Sequence, residues 1–187
     1  MTDVAPKLTW EPLASIRSAP RNPRKHADAA IQASIRAHGF VAPIVLADPW
    51  GTVVSGHGRL AALRAMYAAG ENPPQGIGLD QVDQQPVQWL VPCRRVTFAT
   101  LQEAEAYLLA ANRTLEAGGW DAAALADTLR EINPTDAELT ALAWRPEDLT
   151  AVLAQGPAGD VGRAFTEHEA DGLTWKDCPA CGLHFPV

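Results

Sequence analysis

Cysteine is scarce, with three in 187 residues. That is too few, and too unevenly spaced, for a disulfide framework, and it fits a reducing compartment. Long apolar runs are missing as well. None approaches the ~18–20 residues that a membrane span needs, so the sequence predicts no membrane partner. Met1 to Lys7 lacks the basic-then-apolar order of a secretory leader, and the expected location is the cytoplasm. No internal repeat is present, which sets aside solenoids and propellers. An overall basic excess is also lacking. The net charge of −7 excludes a protein that grips nucleic acid with its whole surface.

The charge is unevenly spread. Residues 1–70 carry eight lysines and arginines against four acids, a net of +4, while the rest carry seven against 18, a net of −11. An anion would therefore bind the N-terminal part. A solvated basic surface explains the same excess without any ligand.

The length suits one well-filled domain and a small appendage. The segment LTWEPLASI opens with a short β-like run, and RSAPRNPRKH is an irregular loop fixed by Pro20 and Pro23. Asp28 is placed to cap a helix with Ile31, Ile35 and His38 on one stripe, ending at Gly39. FVAPIVLA and TVVS read as strands around a DPWG turn. A helix then starts at GHGR, with Leu60, Leu63 and Tyr67 as its apolar stripe and Gly70 as its end.

Residues 71–86, rich in Pro, Gly and Gln, read as a mobile surface loop, and VQWLVPCRRVTF contains another strand. Thr100 and Glu103 form a capping box for a helix through Leu101, Leu108 and Leu115. Asp121 caps the next helix, which stops at Asn133-Pro134. Thr135 and Glu138 form a second box, and Pro146 suits a helical first turn. QGPAGDVG is a linker by composition. The division is residues 1–120 as the first domain, 121–155 as a helical extension, and 156–187 as linker and tail. The expected class is α+β: a small mixed sheet with helices, followed by the extension and a short zinc-knuckle-like tail.

Three segments offer binding chemistry. Gly56-His57-Gly58-Arg59 lies where a strand turns into a helix. Glycines there admit a ligand close to the backbone, and the helix start favours phosphate. Arg59 offers a bidentate contact and His57 a ring N–H. A glycine-rich turn of this kind also occurs for packing alone. The segment NPRKH sets Arg24, Lys25 and His26 after a proline-fixed turn, as a phosphate contact or as an exposed basic loop. Asn112-Arg113 sits late in a mostly apolar helix, where Asn needs a reason.

Taken together, PLASIRSAPRNPRKH, VAPIVLADPWGTVVSGHGRLAAL and AEAYLLAANRTLEAGGWD resemble the ParB-like N-terminal domain, which shares its fold with sulfiredoxin. The resemblance covers about residues 8–120 and lies with the stand-alone or methyltransferase-linked members found in phages and mobile elements. It implies that Gly56, His57, Gly58 and Arg59 hold the phosphates of a nucleoside triphosphate, CTP or ATP, with or without Mg. It places Asn112 and Arg113 beside them, and Arg24 and His26 in the lining of the same pocket. It also implies work alongside DNA, with weak or indirect contact.

This chain departs from the chromosome-segregation members. Their motif at the GHGR position is richer in arginine, and they continue into a helix-turn-helix reader that residues 121–155, being acidic, do not resemble. Sulfiredoxin has its nucleophilic cysteine where His57 stands, so the reductase activity is not expected. Cys93, in an apolar strand, reads as a buried small hydrophobe.

The tail carries Cys178 and Cys181 at the spacing of one zinc knuckle. A closed zinc site needs four ligands, which His168 and His184 complete, or which two chains share as a homodimer. A free thiol pair or a redox pair fits the same spacing. Three function classes stay open. One is a nucleotide-binding, DNA-associated module. Another is a nuclease or small-molecule kinase on the same fold, for which Asp3, Glu11, Asp28, Asp48, Glu103 and Glu105 are the carboxylates on offer. The third is a non-catalytic adaptor that uses the CxxC tail.

Overall fold

The computed structural model describes residues 7–80, 87–155, 175–177 and 184–186. In chain order the elements are β1 (Lys7–Pro12), α1 (Asp28–His38), β2 (Ile44–Asp48), β3 (Thr52–Ser55), α2 (His57–Ala68), β4 (Gly78–Asp80) and β5 (Gln88–Thr97). Then come α3 (Leu101–Gly118), α4 (Ala122–Ile132), α5 (Asp136–Ala141), α6 (Pro146–Gln155), β6 (Trp175–Asp177) and β7 (His184–Pro186). The main sheet runs β1-β5-β2-β3, with β4 also on β5. It is mixed: β2 lies parallel to β5, while β1, β3 and β4 pair antiparallel with their neighbours.

Strand alternation sorts the apolar side chains into two layers. Leu46 and Val53 join Ile35, Phe40, Leu60, Leu63 and Met66 in the larger core, so α1 and α2 cover that face. Ala47 and Val54 point the other way, into a smaller core with Ala104 and Leu108 of α3. Pro92 sits inside β5 without breaking the sheet. On one side β5 pairs β4 up to Leu90 and β2 from Cys93, so the residue without an N–H falls where one partner hands over to the next. Cys93 is buried, and desolvation pushes its thiol up to about 12, so it is inert.

Several boundaries differ from the sequence reading. Asp28 does not cap α1; it is the first helical residue, after Ala27, and contributes only a negative charge to the first turn. His38 is exposed and leaves the stripe to Ile31 and Ile35. Pro43 precedes β2 rather than lying within a strand. The glycine- and proline-rich segment at 71–80 is docked: Phe40 N–H donates to Gln75 O at 2.7 Å, and Gly78–Asp80 form β4. Residues 81–86 lie outside the described residues. The buried stripe of α3 is Ala104 and Leu108, whereas Leu115 is 77% exposed. Glu103 reaches back to Ala99 N–H, not to Thr100, so that capping box is only half formed.

The box at Thr135 and Glu138 is complete. Asp121 caps α4 through Ala124 N–H at 3.0 Å. The extension is not free of the first domain: α5 packs against α1, and its Leu139 is buried. No helix among the described residues is long and apolar enough to cross a membrane. In the tail, Asp177 pairs with His184 across the β6–β7 ladder. His168, Cys178 and Cys181 lie outside the described residues, as does the side chain of His184.

Candidate functional site

The site begins at the turn from β3 into α2. Gly56 adopts φ +101°, a conformation that L side chains rarely take, and a Cβ there would lie 3.0 Å from Arg59 Nη2. The first turn of α2 has neither a capping side chain nor an acidic residue. The N–H of Leu60 is satisfied by Gly56 O at 2.9 Å, so the three amides before it are the unpaired donors of a helix start. By contrast α3, α4 and α5 each spend a side chain on their N-terminus.

Arg59 adds a cation that no carboxylate among the described residues neutralises. Its Nη2 donates to Pro43 O at 3.2 Å, its Nε is buried without a partner, and burial lowers its pKa. A guanidinium held this way lacks the carboxylate that normally offsets desolvation. His57 is half-buried, and its Nε2 accepts from Ala19 N–H at 3.3 Å. The imidazole is therefore neutral, and Nδ1 is left as its donor.

Burial, and then the neighbouring His26, hold the His57 pKa below its ordinary 6.5. Since the unfolded state takes the proton first, the stability tied to neutral His57 is complete above pH 6.5 and is lost as pH falls toward the lowered value. The His57→Gln variant is expected to lose less stability than the parent between pH 7.5 and 5.5, measured by urea unfolding. Equal losses would remove His57 as the source.

Gly58 also has a packing part that its sequence does not show. A Cβ there would meet Ile31 Cδ1 at 2.6 Å and His26 Nδ1 at 3.0 Å. The missing side chain thus seats His26 and α1 against the start of α2. His26 is in turn held by Asn22, whose Nδ2 lies 3.2 Å from His26 Nε2. One end of the NPRKH loop is fixed to the helix start in this way.

The other end lies on α3. A cavity of about 360 Å³ is lined by Pro23, Arg24, Leu108, Asn112, Arg113 and Glu116, and one of about 470 Å³ adjoins Arg21, Asn22 and Glu105. Asn112 Nδ2 donates to Leu108 O at 2.8 Å, a back-bond that accounts for a polar residue in mid-helix. Arg113 is largely exposed. Leu108 shares the smaller core with Ala19, whose N–H reaches His57. The three sequence segments are therefore joined, with His26 at the helix start and Arg24, Asn112 and Arg113 along the α3 groove.

Sequence reasoning missed Glu116, which pairs with Arg24 at 2.7 Å. Its spacing from Asn112 on one helical face was the available signal. The carboxylates considered for metal chemistry are scattered. Glu11 and Asp48 both bind Arg95, at 2.8 and 2.7 Å. Glu103 accepts from Ala99 N–H, Glu105 faces Arg21 at 3.6 Å, and Asp3 lies outside the described residues. No cluster of three metal-binding side chains occurs among the described residues.

The fold is ParB-like. The structure is similar to that of the C-terminally truncated chromosome-partitioning protein ParB from Caulobacter crescentus, solved in complex with CTP-gamma-S. The TM-score is 0.51 and the sequence identity 15%, over 79% of this chain and 77% of that one. No family model matches the sequence, and no curated protein matches it either.

Proposed function

We propose that the protein binds a nucleoside triphosphate, its phosphates at Gly56–Arg59 and its flank along the NPRKH loop and Asn112-Arg113. The observation that carries this reading is Arg59: a half-buried guanidinium without a carboxylate partner among the described residues, beside an uncapped helix start without an acidic residue. An anion at the helix start would pair the free amides and the guanidinium together. The CTP analogue held by the Caulobacter ParB supports CTP as the first nucleotide to try, with ATP second. Calorimetry with CTP, ATP, GTP and UTP, with and without Mg, tests it. Binding of none of the four ends the reading, and phosphate release in the same samples would mark an enzyme.

DNA is proposed as a weak partner. The basic excess of residues 1–70 is smaller in space than in sequence, because Arg21, Arg24 and Arg36 pair with Glu105, Glu116 and Glu71. The extension offers no cationic face either, since Arg130 and Arg145 pair with Asp127 and Asp148. Binding to duplex DNA of any sequence should fall steeply between 50 and 200 mM salt, by roughly tenfold or more if two or more phosphates are contacted. A sequence-selective, salt-insensitive complex would contradict this.

For the tail we propose a structural zinc on Cys178 and Cys181, completed by His168 and His184 or by a second chain. A short segment with little core gains its order from the metal it binds. Metal analysis of protein prepared without chelator should give about one zinc per chain, or one per two chains in a homodimer that shares it. Cys178→Ser should remove the zinc and spare triphosphate binding. Zinc-free protein leaves the two cysteines as ordinary thiols and the adaptor reading without its anchor.

A further inference from the structure

Two carboxylates of α3 face the arginines of the loop at 20–26. Glu105 and Glu116 are about three helical turns apart, so they share one face of the helix with Leu109 and Asn112. Glu105 Oε1 lies 3.6 Å from Arg21 Nε. Glu116 does more. One of its oxygens takes Arg24 Nη1 at 2.7 Å, and the other lies 3.5 Å from Arg113 Nη1. A single carboxylate therefore claims both flanking cations of the site. Its paired oxygens offer a guanidinium the geometry that a phosphate group would.

We propose that Glu116 is an internal competitor for the ligand: it holds Arg24 and Arg113 on α3 until a polyphosphate displaces it, and it thereby sets the affinity of the site. This rests on the assignment of Arg24 and Arg113 to the triphosphate. The substitution has an unusual sign. Most changes in a binding site weaken binding, whereas loss of the Glu116 charge frees two cations and strengthens it.

The test is calorimetry of the full chain with the triphosphate that binds best. Glu116→Gln should bind about two- to fivefold tighter, the range for a partly exposed ion pair, and the gain should shrink as salt rises. In an Arg24→Ala background the same substitution should gain less. Asp121→Asn, which removes one charge and keeps the α4 cap, should bind as the parent does and excludes a net-charge effect.

Trypsin gives a second reading without ligand. Cleavage after Arg24 and Lys25 should be faster in Glu116→Gln, because the loop has lost one of its ties. Equal or weaker triphosphate binding by Glu116→Gln, with Arg59-dependent binding intact in the parent, overturns the proposal. So does unchanged cleavage. A parent that binds no triphosphate, and that Arg59→Met does not alter, marks failure of the nucleotide reading itself.

Discussion

Arg59→Met is expected to remove most triphosphate binding while leaving the free protein as stable as the parent, or more so. Charge-assisted hydrogen bonds contribute about 1.5–3 kcal/mol, which is roughly a 10- to 150-fold loss of affinity. Stability moves the other way because of where the guanidinium sits. Its Nε is buried without a partner, and burial already lowers its pKa. Replacing a half-buried charge that has no carboxylate partner with an apolar chain of similar length removes its desolvation cost. The one bond forfeited, to Pro43 O, is long at 3.2 Å. Thermal melts with and without nucleotide separate the two effects: the ligand-free midpoint should hold or rise, and the ligand-induced shift should vanish. Arg59→Lys should fall between, since a point charge replaces a planar fork. If Arg59→Met unfolds early and still binds, the arginine is a structural strut and the phosphate site lies elsewhere.

Gly58→Val should damage both stability and binding, and comparison with Gly58→Ala shows why. A first methyl group meets Ile31 Cδ1 at 2.6 Å, the mobile end of a side chain, and the His26 ring at 3.0 Å. Replacing Gly by Ala in a helix gains up to ~1 kcal/mol, which offsets part of that crowding, so Gly58→Ala should cost less than Gly58→Val. Valine gains less from propensity and adds two branches to a seam with no room. Overpacking of this kind costs about 1–3 kcal/mol. His26 cannot retreat freely, because Asn22 holds it, so the displacement passes into the loop that carries Arg24. Urea unfolding should show the lower stability and calorimetry the weaker binding. A Gly58→Val protein as stable as the parent would mean that α1 and α2 are packed more loosely than this structure has them.

Much of this was legible in the sequence, and the reasons are local. The strand-to-helix turn at GHGR, the Asp121 cap and the Thr135–Glu138 box depend on residues within one turn of each other, and each stands where the spacing put it. What failed depended on distant chain. The segment at 71–80 has the composition of a loop, but β5 offers it an open side and Phe40 a hydrogen bond to Gln75. Leu101 and Leu115 fit a helical stripe as well as Leu108 does, and the face of β3 selected Ala104 and Leu108. In the site, residue types and segments were readable but their partners were not. Glycine at position 58 looked like room for a ligand, and its missing Cβ also makes room for His26 and Ile31. Arg24 looked free and proved to be paired with Glu116, which is far away in the chain.

The central place of β5 bears on how the chain acquires its structure. Among the described residues β1 pairs with β5 alone, with Lys7 opposite Arg95, and β2 and β4 also pair with β5. A nascent chain that ends before residue 88 holds β1 to β4 without the strand that joins β1, β2 and β4. Only the β2–β3 hairpin and the helices beside it can form early. Closing the long loop from β1 to β5 costs entropy that no contact returns until β5 arrives. Assembly should therefore be late and concerted, led by non-local pairing, which is the slow regime for small domains. Until then the apolar strand at 44–48 depends on α1, α2 and its own hairpin to stay out of aggregates.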